Sequence, residues 1–310
     1  MATSLADPTI VRLSAPDLRS DFDLTAEETR RLLGLAIDVK GNPARYAKAL
    51  EGRSVSLLFE KPSLRTRLTF ELAIQQMGGL CVTSMGMIGD REPLKDVARN
   101  LERWTQGIVA RVFSQSTIEG LAEWAKVPVI NALSDMFHPC QALADVQTIL
   151  EHFGRFDGLK LAYVGDGNNM AHSLLLTAGR LGMHVAVATP EGYSPNSTIV
   201  AAAREAGVAA TITSDPAEAV SGAHAVYTDV WASMGQETEA EERKRIFAAY
   251  QVDDALMAQA AKDAIFLHCL PAKRGQEVTD SVMESRQSAV FDQAENRLHA
   301  QKALLLMLLP

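Results

Sequence analysis

Short apolar runs alternate with amphipathic stretches along almost the whole chain. The runs that predict buried strands lie at residues 54–59, 108–113, 127–133, 161–164, 185–188, 225–230 and 265–267. A stretch with helical spacing follows most of these runs. Strands that alternate with helices predict parallel sheets covered by helices on both faces. The pattern therefore predicts an α/β fold.

Polar caps and glycines mark several helix ends. Thr25 and Glu28 form a capping-box pattern ahead of apolar positions at 32–36, which predicts an amphipathic helix. Helical spacing after Pro62 ends at the glycine pair 78–79. The further predicted helices lie at residues 142–150, 168–181, 197–206 and 293–309.

The alternation breaks at residues 152–158, near the middle of the 310-residue chain. At roughly 150 residues per domain, this length predicts two domains. We expect the first at residues 1–150 and the second at 151–292, each a mainly parallel sheet flanked by helices. The final helix, within 293–310, is expected to return to the first domain.

Composition limits the kinds of partner. The chain has 30 Lys and Arg residues against 38 Asp and Glu residues, a formal charge of −8, with 47% hydrophobic and 22% charged residues. This is ordinary globular composition, which excludes disordered and fibrous classes. An acidic surface repels phosphates, so no nucleic-acid partner is expected. An anionic ligand needs a local cluster of positive charge.

The cysteines and the chain ends narrow the class further. Cys81, Cys140 and Cys269 are far apart with no CxxC pair, which indicates neither a disulfide framework nor a structural zinc site. The first residues lack the basic and apolar regions of a signal peptide. The apolar tail at 303–309 is too short for a bilayer, which takes about 20 residues. We expect a cytoplasmic protein with no membrane partner.

The first candidate site is Ser-Leu-Arg-Thr-Arg at residues 63–67, between a predicted strand and a predicted helix. Free backbone N–H groups at a helix start favour an anion, and arginine adds paired hydrogen bonds to phosphate oxygens. The alternative is a turn capped by Ser63 with solvated arginines. The GxxxxGKS phosphate loop is absent, so a P-loop enzyme is not indicated.

Two more segments combine a strand end with polar side chains. His138 precedes Pro139 and a predicted helix, where its imidazole can polarise a carbonyl oxygen; the alternative is a helix cap. The glycines at 165 and 167 resemble a dinucleotide-binding turn, but the GxGxxG spacing fails. Asn168 and Asn169 can instead contact a polar ligand at the carboxyl end of the sheet.

The remaining candidates also follow predicted strands or lie in the last helix. Asp229 can bind a cationic amine in a cleft, and Ser233 with the local backbone can bind a carboxylate. Cys269 is either a buried, inert thiol or part of a site. Arg297 lies in the final helix, where a solvated side chain is the alternative.

Together, and in this order over nearly the whole chain, these segments resemble the aspartate/ornithine carbamoyltransferase family, and its ornithine-specific branch in particular. Residues 63–67 are similar to its Ser-Thr-Arg-Thr-Arg loop, with Leu64 in place of Thr, and residues 138–141 are similar to its His-Pro-x-Gln motif. Arg111 matches the arginine before that motif. Residues 229–235 and 268–271 resemble the segments that mark the ornithine branch.

The resemblance implies transfer of the carbamoyl group from carbamoyl phosphate to the side-chain amine of L-ornithine, giving L-citrulline and phosphate. It implies arginine biosynthesis, a homotrimer or a multiple of trimers, and neither a metal nor an organic cofactor. The first domain is then expected to bind carbamoyl phosphate and the second ornithine.

The resemblance also assigns the site residues. Those expected to hold carbamoyl phosphate are Ser63, Leu64, Arg65, Thr66, Arg111, His138, Gln141, Cys269, Leu270 and Arg297. Those expected to hold ornithine are Asn169, Asp229, Ser233 and Met234. The catalytic roles fall to Thr66, Arg111 and His138, which polarise the carbonyl, and to Cys269, as proton acceptor.

Three alternatives remain from the sequence. One is a carbamoyltransferase for another amine, such as an acylated ornithine, putrescine or aspartate. Another is a non-catalytic nucleotide-binding α/β protein, suggested by the turn at 165–167. The third is a non-catalytic paralogue with a binding or assembly role. The stretch 83–89 lacks the Gln or His that the resemblance leads one to expect there.

Overall fold

The structure is a computed structural model that describes residues 10–232 and 239–309. The chain divides into two compact units. The first comprises Met1–Gln147 together with Glu295–Pro310, and the second comprises Thr148–Ala294.

The first unit contains a four-stranded parallel sheet with the order β2-β1-β3-β4. The strands are β1 Ser54–Phe59, β2 Leu80–Met85, β3 Ile108–Arg111 and β4 Val129–Leu133. The helices that begin in this unit are α1 Ala26–Gly41, α2 Leu64–Gln76, α3 Leu94–Trp104, α4 Gln115–Trp124 and α5 Pro139–Phe153.

The second unit contains a five-stranded parallel sheet with the order β7-β6-β5-β8-β9. The strands are β5 Lys160–Val164, β6 His184–Ala188, β7 Ala210–Thr213, β8 Ala225–Thr228 and β9 Ile265–His268. The helices that begin in this unit are α6 Asn169–Arg180, α7 Ser197–Glu205, α8 Pro216–Val220, α9 Ala240–Ile246, α10 Asp254–Met257, α11 Asp280–Met283 and α12 Val290–Leu308.

The two parallel sheets with flanking helices confirm the predicted fold class. In β1, every residue from Val55 to Phe59 is buried, as a central parallel strand requires. The capping box at the start of α1 is also present, since Thr25 and Glu28 bond to each other's backbone N–H groups.

The last helix returns to the first unit, as predicted. Leu304 and Leu305 belong to the same apolar core as Leu32 and Phe70. Lys302 Nζ donates to Gln76 Oε1 on α2 at 2.6 Å. The last helix, which follows the second unit in the sequence, therefore completes the apolar core of the first unit.

Two strands were not predicted, and several predicted strands end early. β2 and β7 are edge strands whose side chains are exposed or half-buried, so they lack the continuous apolar run of a central strand. β3 ends at Arg111, where its pairing with β4 shifts register. β8 ends at Thr228, which leaves Asp229 just beyond the strand.

None of the helices within residues 10–232 and 239–309 is both long and apolar enough to cross a membrane.

Candidate functional site

The start of α2 is the first part of the site in the first unit. Ser63 occupies the N-cap position, but its side chain makes no hydrogen bond to the helix, so the alternative of a Ser63-capped turn is wrong. Leu64 is exposed, and Ser63 and Arg65 are half-buried. The first turn of a 13-residue helix thus presents uncapped backbone N–H groups where an anion is favoured.

Thr66 joins three elements at this helix start. Its side chain is buried, and Oγ1 accepts a hydrogen bond from Arg297 Nη2 at 2.8 Å. Arg111 Nη1 also points to this oxygen, at 3.4 Å. Because Arg111 ends β3 and Arg297 lies on α12, residues distant in sequence meet at one hydroxyl. The structure therefore brings together three residues that the resemblance had assigned to one ligand.

Gln141 extends this arrangement on the first turn of α5. Its Nε2 donates to Asp145 Oδ1 at 2.7 Å, and its Oε1 accepts from Arg297 Nη1. The carboxylate accepts only from the amide nitrogen, so the Gln141 oxygen must face the guanidinium. Asp145 was not predicted, although its i+4 spacing from Gln141 on a predicted helix was a usable signal.

His138 lies between β4 and α5 and is buried. Burial, followed by the positive charges of Arg297 and Arg111, lowers the pKa of His138 well below its ordinary value. The imidazole is therefore neutral at pH 7. Next along the chain, burial raises the pKa of Cys140 to about 12, and its thiol donates to the backbone oxygen of Asn131. Cys140 is a packing residue.

Asp229 and Cys269 form the corresponding cluster in the second unit. β8 and β9 are parallel neighbours with Thr228 opposite His268, so the residues that follow them emerge side by side. Cys269 Sγ donates to Asp229 Oδ1 at 3.0 Å, and Val230 N–H donates to the same oxygen at 2.8 Å. The sequence placed each of these side chains at a strand end; the structure brings the two side chains together.

The segment after β9 is held by a buried pair. Leu270 has a φ of 57°, and its N–H donates to His268 Nδ1 at 2.8 Å. The other ring nitrogen, Nε2, is 3.2 Å from Glu277 Oε1, and both side chains are fully buried. Sequence reasoning did not assign His268 or Glu277 a role; together they fix the backbone at Cys269 and Leu270.

This cluster is the one place, among the described residues, where three potential metal ligands converge. Ligand atoms of Asp229, His268 and Cys269 lie within 4.8 Å of one another. Both ring nitrogens of His268 are already engaged by Leu270 and Glu277. The imidazole has no nitrogen left to coordinate an ion, so this donor set does not fit a three-ligand site.

Three other residues were expected to bind ornithine: Asn169, Ser233 and Met234. Asn169 is the first residue of α6, next to its N-cap Asn168. Ser233 and Met234 lie outside the described residues.

Comparison with known proteins gives two family matches that together span most of the chain. Residues 17–151 match the carbamoyl-P binding domain of aspartate/ornithine carbamoyltransferase. Residues 157–308 match the Asp/Orn binding domain of the same family.

Individual relatives are similar over nearly their full length. The chain is 50% identical over 309 residues to an ornithine carbamoyltransferase from Anoxybacillus flavithermus, covering 96% of this chain and 98% of the relative. It is also 50% identical over 312 residues to one from Thermococcus kodakarensis, covering 97% and 98%. The solved ornithine carbamoyltransferase of Pyrococcus furiosus superposes with a TM-score of 0.92 at 47% identity, covering 97% of this chain and 99% of that one.

Proposed function

The chain belongs to the aspartate/ornithine carbamoyltransferase family, and we propose that it transfers the carbamoyl group of carbamoyl phosphate to the side-chain amine of L-ornithine. The products are L-citrulline and phosphate. The observation that carries this proposal is the junction at Thr66, where guanidinium groups from β3 and α12 converge beside the open start of α2.

The first unit supplies the donors that a phosphate dianion needs. The backbone N–H groups at Leu64 and Arg65 belong to the open first turn of α2, with the Ser63 and Thr66 hydroxyls beside them. Arg65 and Arg111 add charge-assisted hydrogen bonds to phosphate oxygens. Several fixed donors of this kind hold the leaving group as negative charge develops on it.

The same junction polarises the carbamoyl carbonyl. The Thr66 hydroxyl, the Arg111 guanidinium and the neutral His138 imidazole are assigned to the carbonyl oxygen. Attack by the amine converts this oxygen into an oxyanion, which preorganised donors stabilise more strongly than the ground-state carbonyl. A neutral His138 acts here as a hydrogen-bond donor and not as a fixed charge.

The carbamoyl nitrogen needs acceptors instead. The Gln141 oxygen can accept from the carbamoyl nitrogen, because the Gln141 amide nitrogen is held by Asp145. The backbone at Cys269 and Leu270 is assigned to the same nitrogen, and Arg297 to the remaining oxygens.

The second unit is assigned to ornithine. The side-chain amine has an ordinary pKa near 10.4, so at neutral pH it must lose a proton before it attacks. Asp229 binds and positions the amine, and Cys269 accepts the amine proton while its own thiol proton passes to Asp229 Oδ1, the oxygen to which it donates a hydrogen bond. The α-amino and α-carboxylate groups are assigned to Asn169, Ser233 and Met234.

We propose a homotrimer that uses an apolar stripe on α2, the helix whose start is assigned to the phosphate group. Leu64, Leu68 and Leu72 repeat at i, i+4 and i+8 on α2 and are exposed. Leu80 and Val82 on the edge strand β2 are 68% and 63% exposed. Contiguous exposed apolar side chains of this kind are typical of protein interfaces. By the family's commoner role, we place the enzyme in arginine biosynthesis in the cytoplasm.

The test is citrulline formation from carbamoyl phosphate with L-ornithine, L-aspartate, putrescine and N-acetylornithine as separate acceptors. Product with ornithine alone supports both halves of the proposal. Product with another acceptor keeps the carbamoyl-phosphate half and overturns the ornithine half. No product from folded protein overturns the transferase and favours the nucleotide-binding alternative, which a nucleotide titration then examines.

A variant pair separates the two substrates. Arg65→Ala removes a charge-assisted contact to phosphate, so its KM for carbamoyl phosphate should rise by about tenfold or more. Cys269→Ser should lower kcat with ornithine while the carbamoyl phosphate KM stays near the wild-type value. Wild-type kinetics in either variant would remove the role assigned to that residue.

A further inference from the structure

We propose that Asn168 is a positioning residue, which holds the Asp229 carboxylate in the orientation that receives the substrate amine. This inference rests on the proposed function, since it gives Asp229 the amine as its ligand. Asn168 itself touches no substrate in this scheme. Its two amide atoms face opposite ways, one toward the helix α6 and one toward Asp229.

The orientation of the Asn168 amide is fixed by donors on one side. Its Oδ1 accepts from Met170 N–H at 2.9 Å and from Ala171 N–H at 3.4 Å. The Tyr163 hydroxyl lies 3.2 Å from the same oxygen. Because backbone N–H groups can only donate, this atom must be the oxygen. The amide nitrogen is therefore the atom that faces Asp229, and it donates to Oδ2 at 3.0 Å.

The Tyr163 hydroxyl remains available as a donor. Tyr163 is buried, and burial, followed by the charges of Asp229 and Asp166, raises its pKa well above the ordinary value. The phenol thus stays neutral at working pH. Its ring stacks on Tyr227 with the centroids 5.9 Å apart, which fixes the hydroxyl in place.

Asp229 is consequently held through both of its carboxylate oxygens. Oδ1 accepts from Val230 N–H and from Cys269 Sγ, while Oδ2 accepts from Asn168. Donors on both oxygens prevent the carboxylate from rotating. Without Asn168, only the Oδ1 side is held, and the oxygen that receives the amine loses its fixed position.

The turn that carries Asn168 packs closely against residues 193–195. Gly167 N–H donates to Tyr193 O at 2.9 Å, and a Cβ at Gly167 would overlap the backbone of Ser194 and Pro195. The residue that precedes Asn168 is therefore held against the 193–195 segment.

Helix capping alone does not account for Asn168. Ser, Thr and Asp cap a helix about as well as Asn, because a cap needs only the side-chain oxygen. Asn combines that oxygen with an N–H₂ group on the far side. Asn196 provides the contrast: it caps α7 by accepting from Thr198 N–H at 2.9 Å, and its side chain is exposed.

The experiment uses Asn168→Ser and Asn168→Thr, which keep a capping oxygen but cannot reach Asp229, with Asn196→Ser as the matched control. Full-length variants are assayed for citrulline, varying each substrate in turn, and their thermal unfolding is followed. We expect the KM for ornithine to rise about tenfold or more, as for a lost hydrogen bond to a charged group. The carbamoyl phosphate KM should stay within about twofold, and unfolding should match the control.

The outcomes distinguish this inference from the function on which it rests. An active wild type with unchanged ornithine KM in both Asn168 variants overturns the positioning role alone. A parallel loss for both substrates, with a lowered unfolding temperature, also overturns it, because a structural cap then explains the effect. Absence of citrulline with the wild type overturns the proposed function, and this inference with it.

Discussion

A substitution of Thr66 gives the most direct test of the proposed carbamoyl phosphate site in the first unit. Thr66→Val keeps the shape of the buried side chain but removes the acceptor used by Arg297 at 2.8 Å and approached by Arg111 at 3.4 Å. The longer contact lies beyond the usual range for a strong hydrogen bond, so only the shorter one counts fully. One hydrogen bond to a charged group contributes about 2 kcal/mol, within a range of roughly 1.5–3 kcal/mol.

Such a loss corresponds to about 30-fold in kcat/KM for carbamoyl phosphate. The assay is steady-state citrulline formation with carbamoyl phosphate varied at saturating ornithine. Thr66→Ser is the matched control, because it keeps the hydroxyl and loses only the methyl group. The ornithine KM of Thr66→Val should stay close to that of the wild type.

Two results would refute this reasoning. If Thr66→Val keeps kcat/KM for carbamoyl phosphate within about twofold of the wild type, the hydroxyl does not organise the two guanidinium groups. If Thr66→Ser loses as much as Thr66→Val, packing of the methyl group explains the defect instead of the hydrogen bond.

Three further predictions address stability and assembly. Because the pKa of His138 is lowered in the folded chain, the unfolded chain takes up a proton near pH 6.5 while the folded chain does not. The stability that the neutral His138 contributes is therefore complete above that pH and is lost as the pH falls toward the folded pKa. Between pH 7 and pH 5, the unfolding temperature should fall less steeply in His138→Gln than in the wild type. Gly167→Ala should lower the unfolding temperature, because the added Cβ overlaps the backbone of Ser194 and Pro195. Gly34→Ala, in open space on α1, should instead stabilise the protein by about 0.5–1 kcal/mol. A loss of stability in both variants would show that overlap does not explain the lower unfolding temperature of Gly167→Ala. Leu68→Lys should reduce the assembled mass in light scattering, while Phe291→Lys, also at an exposed apolar residue, should leave it unchanged; an intact assembly in Leu68→Lys would remove the α2 stripe as the interface.

The sequence was informative wherever a contiguous run carried the signal. β1 has its predicted bounds, because a central parallel strand is apolar at nearly every position. The edge strands β2 and β7 were missed, since half-exposed side chains leave no such run. The strand-end positions of Asp229 and Cys269 follow from the same rule, because parallel neighbours end at one edge of a sheet.

The contacts that orient the site could not be predicted in this way, although the resemblance had already assigned Thr66, Asp229 and Arg297 to it. Asn168 meets Asp229 across 61 positions, and Arg297 meets Thr66 across 231. Each such partner is a single polar residue with an ordinary reason to be where it is, as a helix cap or as part of a helix face. Only the folded chain distinguishes a polar side chain that fixes another one from a polar side chain that meets solvent.

The net charge of the chain and the charges around Thr66 have opposite signs. A chain with a net charge of −8 repels a dianion at a distance, but at physiological ionic strength that repulsion is screened within about 8 Å. The guanidinium groups of Arg111 and Arg297 both lie much closer than about 8 Å to the Thr66 hydroxyl. The N–H groups at the start of α2 add the positive end of a helix dipole. His138 stays neutral beside them because burial, and after it the charges of Arg297 and Arg111, lower its pKa well below the ordinary value. We therefore expect these few donors to decide the binding of carbamoyl phosphate, and raising the ionic strength should weaken it far less than it would weaken a contact between exposed charges.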